Sequence, residues 1–302
     1  MSVDESVPQR PVLVAVEDQD SYQAVTWAAR AAARAGLGLL VLHVYPSVTS
    51  FAGGYGYSLP VPDMQAMQDQ ITKKANATLE DAVALVLSQY PDLQVTTSLV
   101  RGAAPAALVT ASHESSMLVV GKRSNRHPLT VGSVSLTVAS HAACPVVVVA
   151  PEAPRPDGGA SGGVVVGVED SPECDDALAF AFAYASSHGS LLTAVHAWWI
   201  DPARLPESMV GHWDRPDETM QRLMDAALVP WRERYPEVRL DTQMIHADPA
   251  PALVRAADGA ELLVVGSRGR GGFASLLLGS VSRNVLQHAT CPVAVVHHNQ
   301  QA

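Results

Sequence analysis

The sequence predicts a doubly wound α/β protein made of two tandem units, each a five-stranded parallel sheet flanked by helices. Three observations predict it. Short, continuously apolar runs alternate with longer helix-like segments, the pattern of strands covered on both faces. That pattern occurs twice: Glu17 recurs as Glu169 after 152 residues, Gly121 as Gly266 after 145, and Cys144 as Cys291 after 147. Between the copies, Pro151 to Gly163 is rich in proline and glycine and forms no core. The chain therefore divides into a first domain, 1–150, a linker, 151–163, and a second domain, 164–302.

Each copy reads strand, helix, strand, helix, strand, helix, strand, helix, strand. Strand one is Val12 to Val16 and Val164 to Val168. Helices over 20–35 and 172–188 follow, each halted by a glycine (Gly36, Gly189) suited to a left-handed cap. Ser171-Pro172 reads as an N-cap followed by a first-turn proline. Strand two is Leu39 to Val44 and Leu191 to Ala197. Helices over 62–89 and 217–234 each end at Tyr-Pro and lead to a more polar strand. Helices over 103–114 and 249–257 precede the apolar runs Met117–Val120 and Leu262–Val265. A glycine loop, a last helix closing on His-Ala-x-Cys-Pro and a valine-rich strand, Val146–Val149 or Val293–Val296, complete each copy. The long segments Tyr45–Pro60 and Trp198–Pro216 follow strand two and are candidate lids at the carboxyl edge, where open α/β sheets bind ligands.

Bulk composition narrows the function. A chain of 302 residues with 48% apolar and 17% charged residues folds around a substantial core. Its net charge of −10 argues against nucleic-acid or anionic-membrane partners, which need a basic footprint. No apolar run approaches the roughly 18 residues of a membrane span. The acidic start Met-Ser-Val-Asp-Glu-Ser lacks a signal-peptide core. Three cysteines suit a reducing compartment, so a cytoplasmic location is expected. Cys144 and Cys291 read as matched buried hydrophobes rather than a redox pair. Cys174, in a first helical turn, is the candidate for higher reactivity.

The second glycine loop carries the clearest chemistry. Gly266-Ser-Arg268-Gly269, nine further residues and then Gly279-Ser280 join a strand to a helix N-terminus. Gly266 and Gly269 would let backbone amides face a phosphate without a Cβ in the way, and Gly279 allows close approach. Ser280, Val281 and Ser282 begin the helix, where free N–H groups and the macrodipole favour an anion, with Ser280 and Ser282 adding hydroxyls. No Asp or Glu occurs from Leu262 to Ala302, while Arg268, Arg270 and Arg283 do. Acids are likewise absent from Ser115 to Pro151, where Lys122, Arg123 and Arg126 occur. The first loop is eroded: Ser124 stands where the second glycine belongs and the loop is two residues shorter. Gly121, Arg123, Gly132, Ser133, Val134 and Ser135 remain as its candidates, with weaker or no binding expected.

Rival motifs fail. Gly269-Arg-Gly271-Gly-Phe-Ala274 fits a loose dinucleotide pattern, but no acid follows to hold a ribose. Gly121-Lys122 lacks the Ser/Thr and the leading glycine of a P-loop. The repeated histidines His43/His196 and His141/His288 read as scaffold, and no spacing suggests a structural zinc. No nucleophile-base-orienter set stands out and no general base stands beside the loop, so an enzyme is not expected.

Over nearly its full length the chain resembles a tandem universal stress protein of the UspA-like family, in its ATP-binding branch. The resemblance rests on Gly266, Gly269, Gly279 and Ser280, on Val165-Val-Gly167-Val168-Glu169-Asp-Ser-Pro172, on Val195-His-Ala197 and on the Cys-Pro-Val start of strand five. It implies a Rossmann-like, adenine nucleotide alpha-hydrolase-like fold with ATP, alone or with Mg2+, over the carboxyl edge. It further implies that an acid ending strand one (Glu169, and Glu17 after Val16 in the first copy) meets the nucleoside. Backbone near Val168 and Ala197 would meet adenine. Both copies carry Glu where the family usually has Asp, so reach differs. The resemblance also implies last strands pairing as sheet edges, an intrachain pseudo-dimer, with a homodimer as the further association. The function expected is nucleotide-dependent stress or signalling regulation; the alternative is an interaction module that has lost ATP binding. An alpha-hydrolase-type enzyme is disfavoured because strand one lacks a Ser-Gly-Gly-x-Asp loop.

Overall fold

The computed structural model describes residues 9–46, 61–122, 133–151, 162–169, 171–199, 216–269 and 278–298. They form two compact units, Met1–Pro151 and Glu152–Ala302.

In the first unit β1 (Val12–Ala15), β2 (Leu39–Tyr45), β3 (Val95–Arg101), β4 (Met117–Gly121) and β5 (Val146–Val149) alternate with α1 (Tyr22–Ala35), α2 (Val61–Gln89), α3 (Ala104–Ser112) and α4 (Ser133–His141). The strands are parallel and lie in the order β3-β2-β1-β4-β5. Every residue of β5 is buried, as are Val12 to Val14 and Met117 to Val120. β3, at the end of the order, has no buried residue, which is why its sequence is the more polar one.

The second unit repeats this with β6 (Val164–Gly167), β7 (Leu192–Trp198), β8 (Leu240–His246), β9 (Leu262–Gly266) and β10 (Val293–Val296), and with α5 (Pro172–His188), α6 (Pro216–Arg234), α7 (Pro249–Ala256) and α8 (Ser280–His288). Its order is β8-β7-β6-β9-β10, again parallel. Phe182 of α5 is fully buried and stacks on Trp231 and Tyr235 at 6.2 and 6.0 Å, locking α5 to α6.

Two right-handed crossovers run one way from β6 and the next two run the other way, which places α5 and α6 on one face and α7 and α8 on the opposite face. The direction reverses between β6 and β9, and in the first unit between β1 and β4. A crevice opens at such a switch point, outside the carboxyl ends of the two strands. Topology alone thus brings Val168-Glu169 beside Gly266.

The expected glycine caps are present: Gly36 and Gly189 adopt left-handed conformations (φ 67° and 64°) and donate back into their helices. The first helix starts two residues later than expected, after a 3₁₀ turn over Gln19–Ser21. One cap differs from expectation. Ser171 sits at the N-cap of α5, but its hydroxyl makes no capping bond and donates instead to Glu169 Oε1 at 3.0 Å. The candidate lids fall almost wholly on 47–60 and 200–215, outside the described residues, as do Arg126, Arg270 and most of the linker.

Candidate functional site

At the switch point of the second unit lies a cavity of about 430 Å3, within the usual range of small-molecule sites. Gly167, Val168, Glu169, Ala197, Gly266, Arg268, Gly269, Gly279, Ser280, Val281 and Ser282 all line it. Residues some hundred positions apart in the chain therefore share one wall-to-wall space. Val195, Val265, Pro249, Leu253 and Cys174 also line it, and the sequence reading did not single them out for this cavity. Their selection depends on how α7 and the first turn of α5 pack over the strand ends, which no local spacing encodes.

The glycine loop is tied at both ends. Ser267 N–H donates to Val296 O and Gly279 N–H to Ser267 O, each at 2.7 Å. Ser282 Oγ donates to Gly266 O at 2.6 Å and to Ser267 O at 3.3 Å. These bonds press the start of α8 onto the end of β9. They also correct the expectation that the Ser282 hydroxyl faces a ligand: it is buried and serves the loop's own carbonyls. α8 opens at an extended Gly279 with no side-chain cap. Among the described residues no carbonyl outside the helix accepts from the N–H groups of Ser280, Val281 and Ser282, so the cavity meets the N-terminus of α8. A methyl at Gly279 would touch nothing closer than Ser267 O at 3.4 Å, and its φ of −69° is ordinary. Neither the backbone conformation nor the described neighbours require glycine there, and Gly279 lines the cavity.

Glu169 is where tertiary structure departs most from the local reading. The loop segment itself contains no acid, yet β6 delivers one: a Cβ added at Gly269 would fall 2.5 Å from both carboxylate oxygens of Glu169. Among the described residues lining the cavity the charged ones are Glu169 and the exposed Arg268, one of each sign. The absence of acids from Leu262 onward is therefore a property of the sequence that does not extend to the site.

The end of strand one is equally committed. Val168 N–H donates to Val195 O at 2.8 Å, and Val168 O accepts from His196 Nδ1 at 2.7 Å. The Val168 N–H is thus engaged within the sheet, and its carbonyl, bonded to His196, has a second lone pair. His43 makes the same bond to Val16 O at 2.8 Å in the first unit, which accounts for this histidine pair as scaffold. His141 and His288 each bond the carbonyl four residues back, at 2.9 Å, closing α4 and α8. Gly167 lines the cavity, but its missing side chain is filled by Leu253 of α7, whose methyls would lie 3.1 and 3.3 Å from a Cβ. Cys174 is 4% exposed and accepts Glu169 N–H at 3.4 Å; burial pushes its thiol up to about 11. The expected gain in reactivity is corrected: desolvation outweighs the helix N-terminus.

In the first unit Glu17 N–H donates to Ser21 Oγ at 3.1 Å, the counterpart of the Cys174 contact. Ser135 Oγ donates to Gly121 O at 3.1 Å, as Ser282 does to Gly266. Val16 is buried, and Val134 lies one residue into α4. Arg123 and Gly132 lie outside the described residues, as does the side chain of Ser133. Among the described residues no His/Cys/Asp/Glu group is arranged to hold a metal, and no helix is long and apolar enough to cross a membrane.

A duplicated, doubly wound parallel sheet with a glycine-lined cavity at the switch point of its second copy defines a tandem, Rossmann-like α/β protein. The chain belongs to the universal stress protein family, whose profile matches residues 9–150 and again 162–297. It is 35% identical over 306 residues to a universal stress protein of Mycolicibacterium smegmatis, covering 97% of this chain and 98% of that one. It is 34% identical over 302 residues to one from Mycobacterium tuberculosis, covering 95% and 96%. Among solved structures, a universal stress protein from Archaeoglobus fulgidus superposes with a TM-score of 0.68 at 17% identity, covering 97% and 98%. At that identity the likeness speaks for the fold.

Proposed function

We propose that the second unit binds ATP at its switch-point cavity and that the protein acts as a nucleotide-dependent regulator rather than an enzyme. The observation that carries this is the convergence of the whole glycine motif, the end of β6 and Ala197 of β7 on one cavity. The first-turn N–H groups of α8 and the guanidinium of Arg268 would hold polyphosphate. The apolar wall of Val168, Val195, Leu253 and Val265 would receive the base.

Binding without turnover is supported by the state of the lining side chains. Ser282 donates to backbone carbonyls, the Cys174 thiol is held protonated, and no histidine is among the described residues lining the cavity. That set offers no nucleophile with a base beside it.

Calorimetric titration of the full chain with Mg-ATP tests the reading. Gly279→Ala is the informative variant because an added methyl meets the described neighbours only at ordinary contact distance while it narrows the cavity that Gly279 lines. Binding by the wild-type chain and at least about tenfold weakening in the variant are expected, equivalent to about 1.4 kcal/mol. Equal binding by both would reject this loop. A second reading, a nucleotide-independent interaction module, is favoured by the carboxylate of Glu169 against the loop; its mark is no thermal shift with ATP.

A further inference from the structure

We infer that Glu169 is a built-in competitor for the polyphosphate position, so that a ligand phosphate enters the second unit by displacing this carboxylate from the glycine loop. The inference rests on the nucleotide reading above and adds a determinant of affinity and ligand choice within that site.

Two independent features hold the carboxylate in place. The first is its position: both oxygens lie where a side chain at Gly269 would begin, so the gap left by that glycine is taken by Glu169. The second is Ser171. As N-cap of α5 it would ordinarily accept a first-turn N–H. Instead its hydroxyl donates to Glu169 Oε1, while its own N–H donates to Glu169 O at 3.0 Å. A serine diverted from its helix to a carboxylate fixes the rotamer that points at the loop. An aspartate, shorter by one carbon–carbon bond of about 1.5 Å, would fall short of the glycine. Glutamate at this position thus converts a neighbour of the site into an occupant of it.

The charge logic follows. A phosphate brought within a few ångströms of the resident carboxylate meets like-charge repulsion of kcal/mol size in a partly screened cleft. Binding therefore requires Glu169 to swing away. Highly charged ligands pay the larger penalty unless that swing is complete, so the loop discriminates by phosphate charge as well as by shape.

The test titrates the full chain and its Glu169→Gln, Glu169→Asp and Ser171→Ala variants with Mg-ATP and, separately, with tripolyphosphate. Thermal melting checks that each variant is folded. Gln keeps the side-chain length and removes the charge; Asp keeps the charge and shortens the reach. Both are expected to bind both ligands about tenfold tighter than wild type, with a smaller gain for Ser171→Ala. Variants that bind tripolyphosphate no better than wild type, while ATP still binds, overturn the inference and leave the nucleotide reading standing. A change confined to ATP does the same, because it assigns Glu169 to the nucleoside alone. Tighter tripolyphosphate without any ATP binding supports the competitor and removes the adenine assignment. No binding of either ligand by any form overturns both.

Discussion

Ser282 shows how a small polar residue acts through the backbone rather than on a ligand. Its hydroxyl meets two consecutive carbonyls, of Gly266 and Ser267, and Ser135 repeats the first of these bonds in the other copy. Ser282→Ala is expected to lower stability by about 1–2 kcal/mol, because a buried carbonyl loses its donor. Urea unfolding measures this, and the same variant should weaken nucleotide binding by loosening the start of α8. The buried thiols give a second prediction at this scale. Burial raises Cys174 from the ordinary 9.0 to about 11 and Cys144 to about 12. Above pH 9 the unfolded chain releases thiol protons that the folded chain retains, so stability is intact below that value and falls as pH rises toward 11. Urea midpoints between pH 8 and 10.5 should decline less in a Cys144→Ser, Cys174→Ser double variant; equal slopes would contradict the assignment.

Helix ends were the most legible elements, because capping is a local problem with few chemical solutions. Gly36 and Gly189 are expected at left-handed caps and stand there, with no atom of the described residues within 4 Å of an added Cβ. Gly189→Ala should therefore cost only the backbone strain, about 1–2 kcal/mol. Gly163 is a different case: it has φ 73°, and a Cβ there would lie 2.5 Å from Leu191 O. Gly163→Ala should lower the melting temperature more than Gly189→Ala does, and the reverse order would refute this comparison. What local pattern did not disclose is the destination of side chains between elements. Ser171 has every mark of an N-cap and sends its hydroxyl elsewhere. Glu261, before β9, is 7% exposed and accepts from Tyr184 Oη at 3.3 Å and Ser190 Oγ at 2.8 Å, partners more than 70 residues away. Glu261→Ala would remove the acceptor of both hydrogen bonds and is expected to destabilise the chain by about 2–3 kcal/mol in chemical denaturation.

At the scale of the whole molecule, duplication predicts asymmetry of function on a shared scaffold. Both units keep the strand-one histidine bond and the serine pin beneath the loop, while the full glycine motif belongs to the second. Mg-ATP is therefore expected to bind at one equivalent per chain. At a hundredfold excess over Kd it should stabilise the protein by about 2.7 kcal/mol. Two equivalents by calorimetry would show that the eroded loop still serves.

The amino-acid sequence by itself determined the parallel α/β class, the repeat, the order of elements and the motif on which the candidate site is built. Each of these follows from short-range periodicity, glycine conformation or self-similarity. Only the tertiary structure decided what faces the loop. The acid-free stretch from Leu262 onward is true of the chain and untrue of the site, because the switch in strand order sets the end of β6 beside β9 and lays Glu169 against Gly269. Charge near a binding loop is summed over space, and the residue that alters the sum lies a hundred positions away along the chain.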